Sequence, residues 1–286
     1  MLAPFKQVDV FTERPFFGNP VAVVLDASAL DEHEMQRIAA WMNLSETTFV
    51  LPSARADYRL RIFTPRGELP FAGHPTIGSA HAVIEAGMAT PRAGALAQEC
   101  AAGVIPLRID GHRIVATVPP PRVVRDAVFE GERAAAWLGA PVIGHPAPLA
   151  IDVGPVWLVA QAATVAALAG AEPDLVALAG ASREHGLTGL TAFALEAPGG
   201  AGPRMRVRSF APASGIAEDP VCGSGNAAVG AYLGVTQLLA RTGAEYVASQ
   251  GREIGRDGLV AVSVRGRDVS IGGSAVTVLD GTIRVR

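Results

Sequence analysis

Residues 215–233, GIAEDPVCGSGNAAVGAYL, gather two carboxylates (Glu218, Asp219), a proline and a lone thiol (Cys222) ahead of a glycine turn, Gly223-Ser224-Gly225. Small and apolar residues then recur at helical spacing through Ala227, Ala228, Ala231 and Leu233. The first turn of a helix exposes backbone N–H groups and the positive end of the peptide dipole. Glycine there lets a ligand come close to the backbone. The stretch therefore reads as a seat for an anion with acids beside it. The plain alternative is a loop that only caps a helix.

The chain repeats this stretch. Residues 68–83 read ELPFAGHPTIGSAHAV, and an offset of 150 sets Glu68 on Glu218, Pro70 on Pro220, Ala72 on Cys222, Gly73 on Gly223 and His74 on Ser224. The approaches agree as well, RIFTP at 61–65 against RSFAP at 208–212. Each copy reads as strand, loop and helix, and Pro75 suits a first helical turn, where its missing N–H costs nothing. A repeat half the chain long means two similar domains rather than a solenoid, whose repeats run to about 20–50 residues. Two such helix starts facing each other would trap a carboxylate.

The elements that must position these groups follow from pattern. Strands are expected at 5–11, 21–25, 47–51 and 58–63, and over 98–109 and 113–118 on either side of the Asp110-Gly111 turn. Asp31 can cap a helix carrying Met35, Ile38, Ala39 and Met42. Pro119-Pro120-Pro121 breaks the chain, since three prolines donate no ladder bonds. We place the domain boundary there, giving 1–121 and 122–286, with the terminal strand allowed to return to the first domain. The second half repeats the plan, with helices at 132–138, 164–168 and 173–182, strands at 156–160, 190–196 and 205–210, and closing hairpins at 245–251, 259–265, 268–271 and 275–278. The expected fold class is α+β, two similar domains, each a curved and mostly antiparallel sheet around a central helix.

Composition narrows the function. The chain has 286 residues, 49% hydrophobic and 18% charged, with a net charge of −3. That is ample for two cores and gives no sign of a nucleic-acid or membrane surface. No apolar run approaches the roughly 20 residues of a membrane span, and the opening MLAPFKQVDVF is strand-like, without the apolar core of a signal peptide. Cys100 and Cys222 make neither a disulfide framework nor a metal-type pair. We expect a cytoplasmic protein with no metal and no organic cofactor, because dinucleotide, phosphate-loop and metal-ligand motifs are missing from the sequence.

Four segments together resemble one family. They are VDVFTERPFFGNPVAVV at 8–24, NLSETTF at 43–49, FTPRGELPFAGHPTIG at 63–78 and EDPVCGSGNAA at 218–228. In order and spacing they are similar to the PhzF-like proteins of phenazine biosynthesis, which share the diaminopimelate-epimerase fold. The resemblance implies an active site between the two domains, a homodimer, and proton transfer without a cofactor on a small carboxylate-bearing carbon acid. The founding member isomerises trans-2,3-dihydro-3-hydroxyanthranilate. Carried over by position, the acid/base glutamate is Glu46, the loop histidine His74, the motif aspartate Asp219 and the turn serine Ser224. Backbone N–H groups at Gly73 and Gly223 would hold the carboxylate.

Each residue also has a plainer reading. Glu46 is a surface glutamate or, in a cleft, a proton shuttle. Asp219 caps a turn, or it receives a substrate hydroxyl or ammonium. His74, before a proline-started helix, feels a positive helix end that favours its neutral form. Asn19 makes the turn beside Gly18 or reaches the cleft. Cys222 packs as a small apolar side chain, or acts as the single base of an amino- or hydroxy-acid racemase, epimerase or dehydratase. The thiol pair of the racemases is ruled out at these positions because Ala72 holds the first place. A binding protein on the same fold is the reading without catalysis.

Overall fold

The computed structural model describes residues 2–197 and 202–285. The chain forms two compact units, Met1–Thr117 with Gly272–Arg286, and Val118–Ile271. In the first, Leu2–Val10 pairs antiparallel with both Ala275–Arg284 and Asn19–Val24. Asn19–Val24 runs parallel to Glu46–Leu51, which is antiparallel to Tyr58–Thr64. A second parallel step leads from Tyr58–Thr64 to Ala95–Cys100, followed by the antiparallel strands Gly103–Asp110 and Arg113–Thr117.

The second unit repeats the sequence of steps. Arg122–Val128, Leu149–Asp152 and Val156–Gln161 are antiparallel in turn, and a parallel step follows to Gly189–Leu195. Next come the antiparallel Met205–Ala211, a parallel step to Glu245–Gln250, and the antiparallel Gly258–Arg265. The α+β class and the mainly antiparallel sheets of two similar units are thus as expected, with two parallel steps in each sheet.

Each unit wraps its sheet on one helix that is apolar all round, the mark of a buried helix. In α2 (Gly73–Glu85) only His81, Ile84 and Glu85 are not fully buried. Gly78 makes this packing possible: a Cβ there would lie 2.8 Å from Val10 Cγ2 and closer still to Val21 Cγ1. By contrast α1 (Glu32–Met42) is amphipathic. Asp31 and Glu34 close a capping box at its start, and Met35 and Ala39 pack into a cluster with Val24, Phe49 and Phe63. Strand Asn19–Val24, covered by α2 and by this cluster, is buried at every position.

In the second unit α3 (Gly131–Leu138), α4 (Val165–Ala169) and α5 (Leu175–His185) cover a core around Trp137, Leu158, Leu178, Leu190 and Phe210. The buried helix here is α6 (Gly223–Val235), in which only Ser224, Gly234 and Val235 are not fully buried. A short α7 (Leu239–Thr242) follows.

Three local expectations are corrected. The run 98–109 is two strands, split at Ala101-Ala102 by a turn that needs Gly103 at φ 116°. Residues 122–128, which had been given no element, form a strand directly after the prolines. The closing segment is a ten-residue strand, Ala275–Arg284, that pairs with the first strand, Leu2↔Arg284 to Val10↔Ala275.

Candidate active site

In the first unit three element ends converge. Asn19 begins one strand, Glu46 begins its parallel neighbour, and His74 lies in the first turn of α2. His74 Nε2 is 3.3 Å from Glu46 Oε2, and its Nδ1 is 3.3 Å from Asn19 Nδ2. Ser45 Oγ reaches Asn19 Oδ1 at 3.5 Å. All three residues of the cluster are buried, Glu46 to 8% exposure. Burial drives the His74 ring down to about 3, against the opposing pull of a hydrogen bond to the Pro20 carbonyl. The imidazole is therefore neutral, with one protonated and one bare nitrogen. At the α2 start Ala72 offers no side-chain cap, so the N–H groups beside Gly73 have no capping oxygen from it.

In the second unit Asp219 ends the strand Ile216–Asp219, and Cys222 is the N-cap of α6. Cys222 Sγ accepts the Gly225 N–H at 3.2 Å and lies 3.5 Å from Ser224 Oγ. Burial, and then the nearby Asp219 carboxylate, push the thiol well above its ordinary range. Ser224 Oγ accepts the Trp157 indole N–H at 3.0 Å. Gly225 is required here because a Cβ would sit 2.6 Å from Thr191 Oγ1 and 2.7 Å from Ser209 Oγ.

Gln250 knots this loop together. It is fully buried, accepts the Cys222 N–H at 3.1 Å and the Asn226 amide at 2.8 Å, and donates to the Asp219 carbonyl at 3.1 Å. Sequence reading missed Gln250, Asn226 and Trp157. Of these only Asn226 lies within the repeated motif.

The two units share a clamp beneath these loops. Arg61 grips Glu68 with Nε at 2.7 Å, and Arg208 grips Glu218 with Nε at 2.9 Å and Nη2 at 2.8 Å. Glu218 is thereby a structural partner, and Asp219 next to it is the carboxylate beside Cys222. The units part company at Glu46. Thr47 pairs with Phe63 as Leu190 pairs with Phe210, so the residue standing in Glu46's place is Gly189. A Cβ at Gly189 would overlap the Phe210 carbonyl oxygen and lie 2.9 Å from its carbon. One unit carries a buried carboxylate at this strand end and the other has no room for any side chain.

Among the described residues no group of three or more His, Cys, Asp or Glu could hold a metal ion, and no helix is long and apolar enough to cross a membrane. A cavity of about 250 Å³ in the first unit, lined by Glu13, Asp110, His112, Arg113 and Ser274, includes none of the candidate residues.

Comparison with known proteins gives this geometry a context. The profile of the phenazine biosynthesis-like protein family, PhzC-PhzF, matches residues 8–281. The Antisense-enhancing sequence 1 protein of Schizosaccharomyces pombe is 42% identical, with 97% of each chain covered. The trans-2,3-dihydro-3-hydroxyanthranilate isomerase of Pseudomonas chlororaphis is 36% identical over 96% of this chain and 97% of its own. Among solved structures, the PhzF-family phenazine biosynthesis protein of Bacillus anthracis superposes with a TM-score of 0.83 at 27% identity, covering 99% of each chain. A probable proline racemase from Agrobacterium radiobacter shares the fold at TM-score 0.68 and 14% identity, over 99% of this chain and 93% of its own.

Proposed function

Because this chain belongs to the phenazine biosynthesis-like PhzC-PhzF family and is an isomerase, we propose that it shifts a proton between two carbons of a small unsaturated carboxylate, with Glu46 as the only acid/base and no cofactor. The Glu46 carboxylate takes a proton from an sp³ carbon next to the unsaturated system. The C–H electron pair becomes part of a shifted double bond, and the carboxylic acid returns the proton at the far carbon. Atoms and charge balance within substrate and enzyme, so no co-reactant is needed.

The observation that carries this reading is the neutral His74 at 3.3 Å from Glu46. A neutral imidazole can serve both states of the glutamate. With Nδ1 accepting from Asn19, Nε2–H faces the carboxylate. With Nδ1–H on the Pro20 carbonyl, a bare Nε2 faces the carboxylic acid. Asp219 receives a substrate hydroxyl or ammonium, and Ser224 with the N–H groups at Gly73 and Gly223 holds the carboxylate.

Against the single-thiol racemase stands the raised Cys222 thiol, which is protonated and a poor base at neutral pH. The same reading takes the enzyme to be a cytoplasmic homodimer, and light scattering that returned a monomer mass would remove the dimer.

The test is hydrogen exchange. Wild type and Glu46→Gln are incubated in D₂O with trans-2,3-dihydro-3-hydroxyanthranilate and a panel of cyclic dienes, amino acids and hydroxyprolines, and carbon-bound hydrogen is followed by NMR. Exchange that vanishes in Glu46→Gln supports the proposal. Exchange that survives moves the base elsewhere, first to Cys222 or Asp219.

A further inference from the structure

We propose that Trp157 is a positioning residue that fixes the hydroxyl of Ser224 as a hydrogen-bond donor to the substrate carboxylate. The inference rests on the reading of Ser224 as a carboxylate ligand. It starts from an inequality between donors and acceptors. An indole N–H can only donate, while a serine hydroxyl has one proton and two lone pairs. Trp157 Nε1 lies 3.0 Å from Ser224 Oγ, so this contact has one polarity: indole donates and hydroxyl accepts. The Ser224 proton is left to point elsewhere.

Two places can take it. One is Cys222 Sγ at 3.5 Å, a weak acceptor that already receives the Gly225 N–H. The other is a ligand, because Ser224 is the one residue in the first turns of α6 that is not fully buried. A carboxylate is by far the stronger acceptor, so a bound anion draws the hydroxyl proton away from the sulfur.

The surroundings hold the indole still. Trp157 is 2% exposed and sits mid-sheet, with Ile151 and Gly189 as its strand partners. The absence of a side chain at Gly189 belongs to the same strand step. In the first unit the matching place, across from Glu46, is taken by Val21, which has no polar atom. The donor is thus particular to the second unit, where the repeat puts Ser224 in place of His74.

The inference predicts a neutral-donor effect of ordinary size. Losing one fixed hydrogen bond to an anion-binding hydroxyl weakens binding about five- to tenfold. It leaves the proton-transfer step at Glu46 alone, so KM rises while kcat stays within about twofold.

The experiment uses full-length protein labelled with ¹⁵N-tryptophan. Trp157→Phe, which keeps an aromatic ring but loses the N–H together with part of the indole's volume, assigns the Trp157 indole resonance among those of Trp41, Trp137 and Trp157. In Ser224→Ala that resonance should shift and its proton should exchange faster with solvent. An unchanged resonance overturns the proposal whatever the substrate is. The protein is then titrated with benzoate and with trans-2,3-dihydro-3-hydroxyanthranilate. Expected are weaker binding in Trp157→Phe and in Ser224→Ala, with the double variant no weaker than Ser224→Ala alone. Wild-type affinity in Trp157→Phe with weakened Ser224→Ala overturns the role of Trp157 only. Wild-type affinity in Ser224→Ala, or a wild type that binds neither probe, overturns the carboxylate reading of Ser224 and this inference with it. Trp157→His, which restores a ring N–H, should recover part of the lost affinity if the donor is what matters, and a variant that binds no better than Trp157→Phe counts against it.

Discussion

His74 Nε2 stands 3.3 Å from Glu46 Oε2, and burial holds the ring neutral. Its ring titrates near 6.5 when the chain is unfolded and about 3 when folded. Below 6.5 the unfolded state therefore binds a proton that the native state refuses. This contribution to stability is intact above 6.5 and is lost progressively as pH falls towards about 3, with a limiting slope of about 1.4 kcal/mol per pH unit. Urea titrations between pH 7 and pH 4 should show a shallower decline in His74→Gln than in wild type. Parallel declines would mean that the buried ring is not held neutral.

Cys222 should prove more structural than chemical. Its sulfur caps α6 through the Gly225 N–H, and serine is a better cap than cysteine. Cys222→Ser should keep turnover within about threefold and keep the melting temperature. Cys222→Ala should lose about 1 kcal/mol in urea unfolding for want of a cap. Abolished turnover in Cys222→Ser would instead favour the single-thiol racemase.

Gln250 satisfies three backbone or amide groups at once. Leucine fills similar space but strands the Cys222 N–H, the Asn226 amide and the Asp219 carbonyl in the interior. At about 1–3 kcal/mol for each buried orphan, partly relieved by local shifts, Gln250→Leu should cost about 3 kcal/mol of stability. Glutamate, which retains the acceptor but loses the donor, should cost less. Equal losses in the two variants would show that the donor to the Asp219 carbonyl, which both lack, sets the effect.

Gly78 tests how tightly α2 seats on its sheet. The Cβ of Gly78→Ala would collide with Val21 and Val10, an overpacking that costs about 1–3 kcal/mol. Val21→Ala removes one of the offending methyl groups, so the double variant should be more stable than the sum of the two single losses predicts. Simple additivity in denaturant unfolding would place the clash elsewhere.

What could be read from the sequence was local or repeated. The Asp31 cap, the Asp110-Gly111 turn and the two buried helices each announce themselves within a few residues, and the repeat shows that α2 and α6 are counterparts. Glu46, His74 and Asn19 could each be singled out, though on separate motifs. What brings them together is the parallel step between Asn19–Val24 and Glu46–Leu51, a pairing that leaves no mark in the spacing. The same holds for Gln250, 28 residues from Cys222, and for Trp157, 67 residues from Ser224. Such partners are fixed by sheet order. The return of the terminal strand to the first domain was allowed for, but its ten-residue length and its pairing with Leu2–Val10 were not legible, for the same reason.

The crowding at Gly189 also bears on the chain's ancestry. If the two halves descend from one duplicated ancestor, the counterpart of Glu46 cannot be regained by changing a codon, because the Phe210 carbonyl already fills the volume a side chain would need. Installing a second carboxylate there would first demand a slip in register between Gly189–Leu195 and Met205–Ala211, which would turn every side chain of a buried strand to the opposite face. Loss of symmetry at this position works as a ratchet. Directed evolution toward a two-base racemase should therefore find its gains at other positions in the second half and leave 189 untouched.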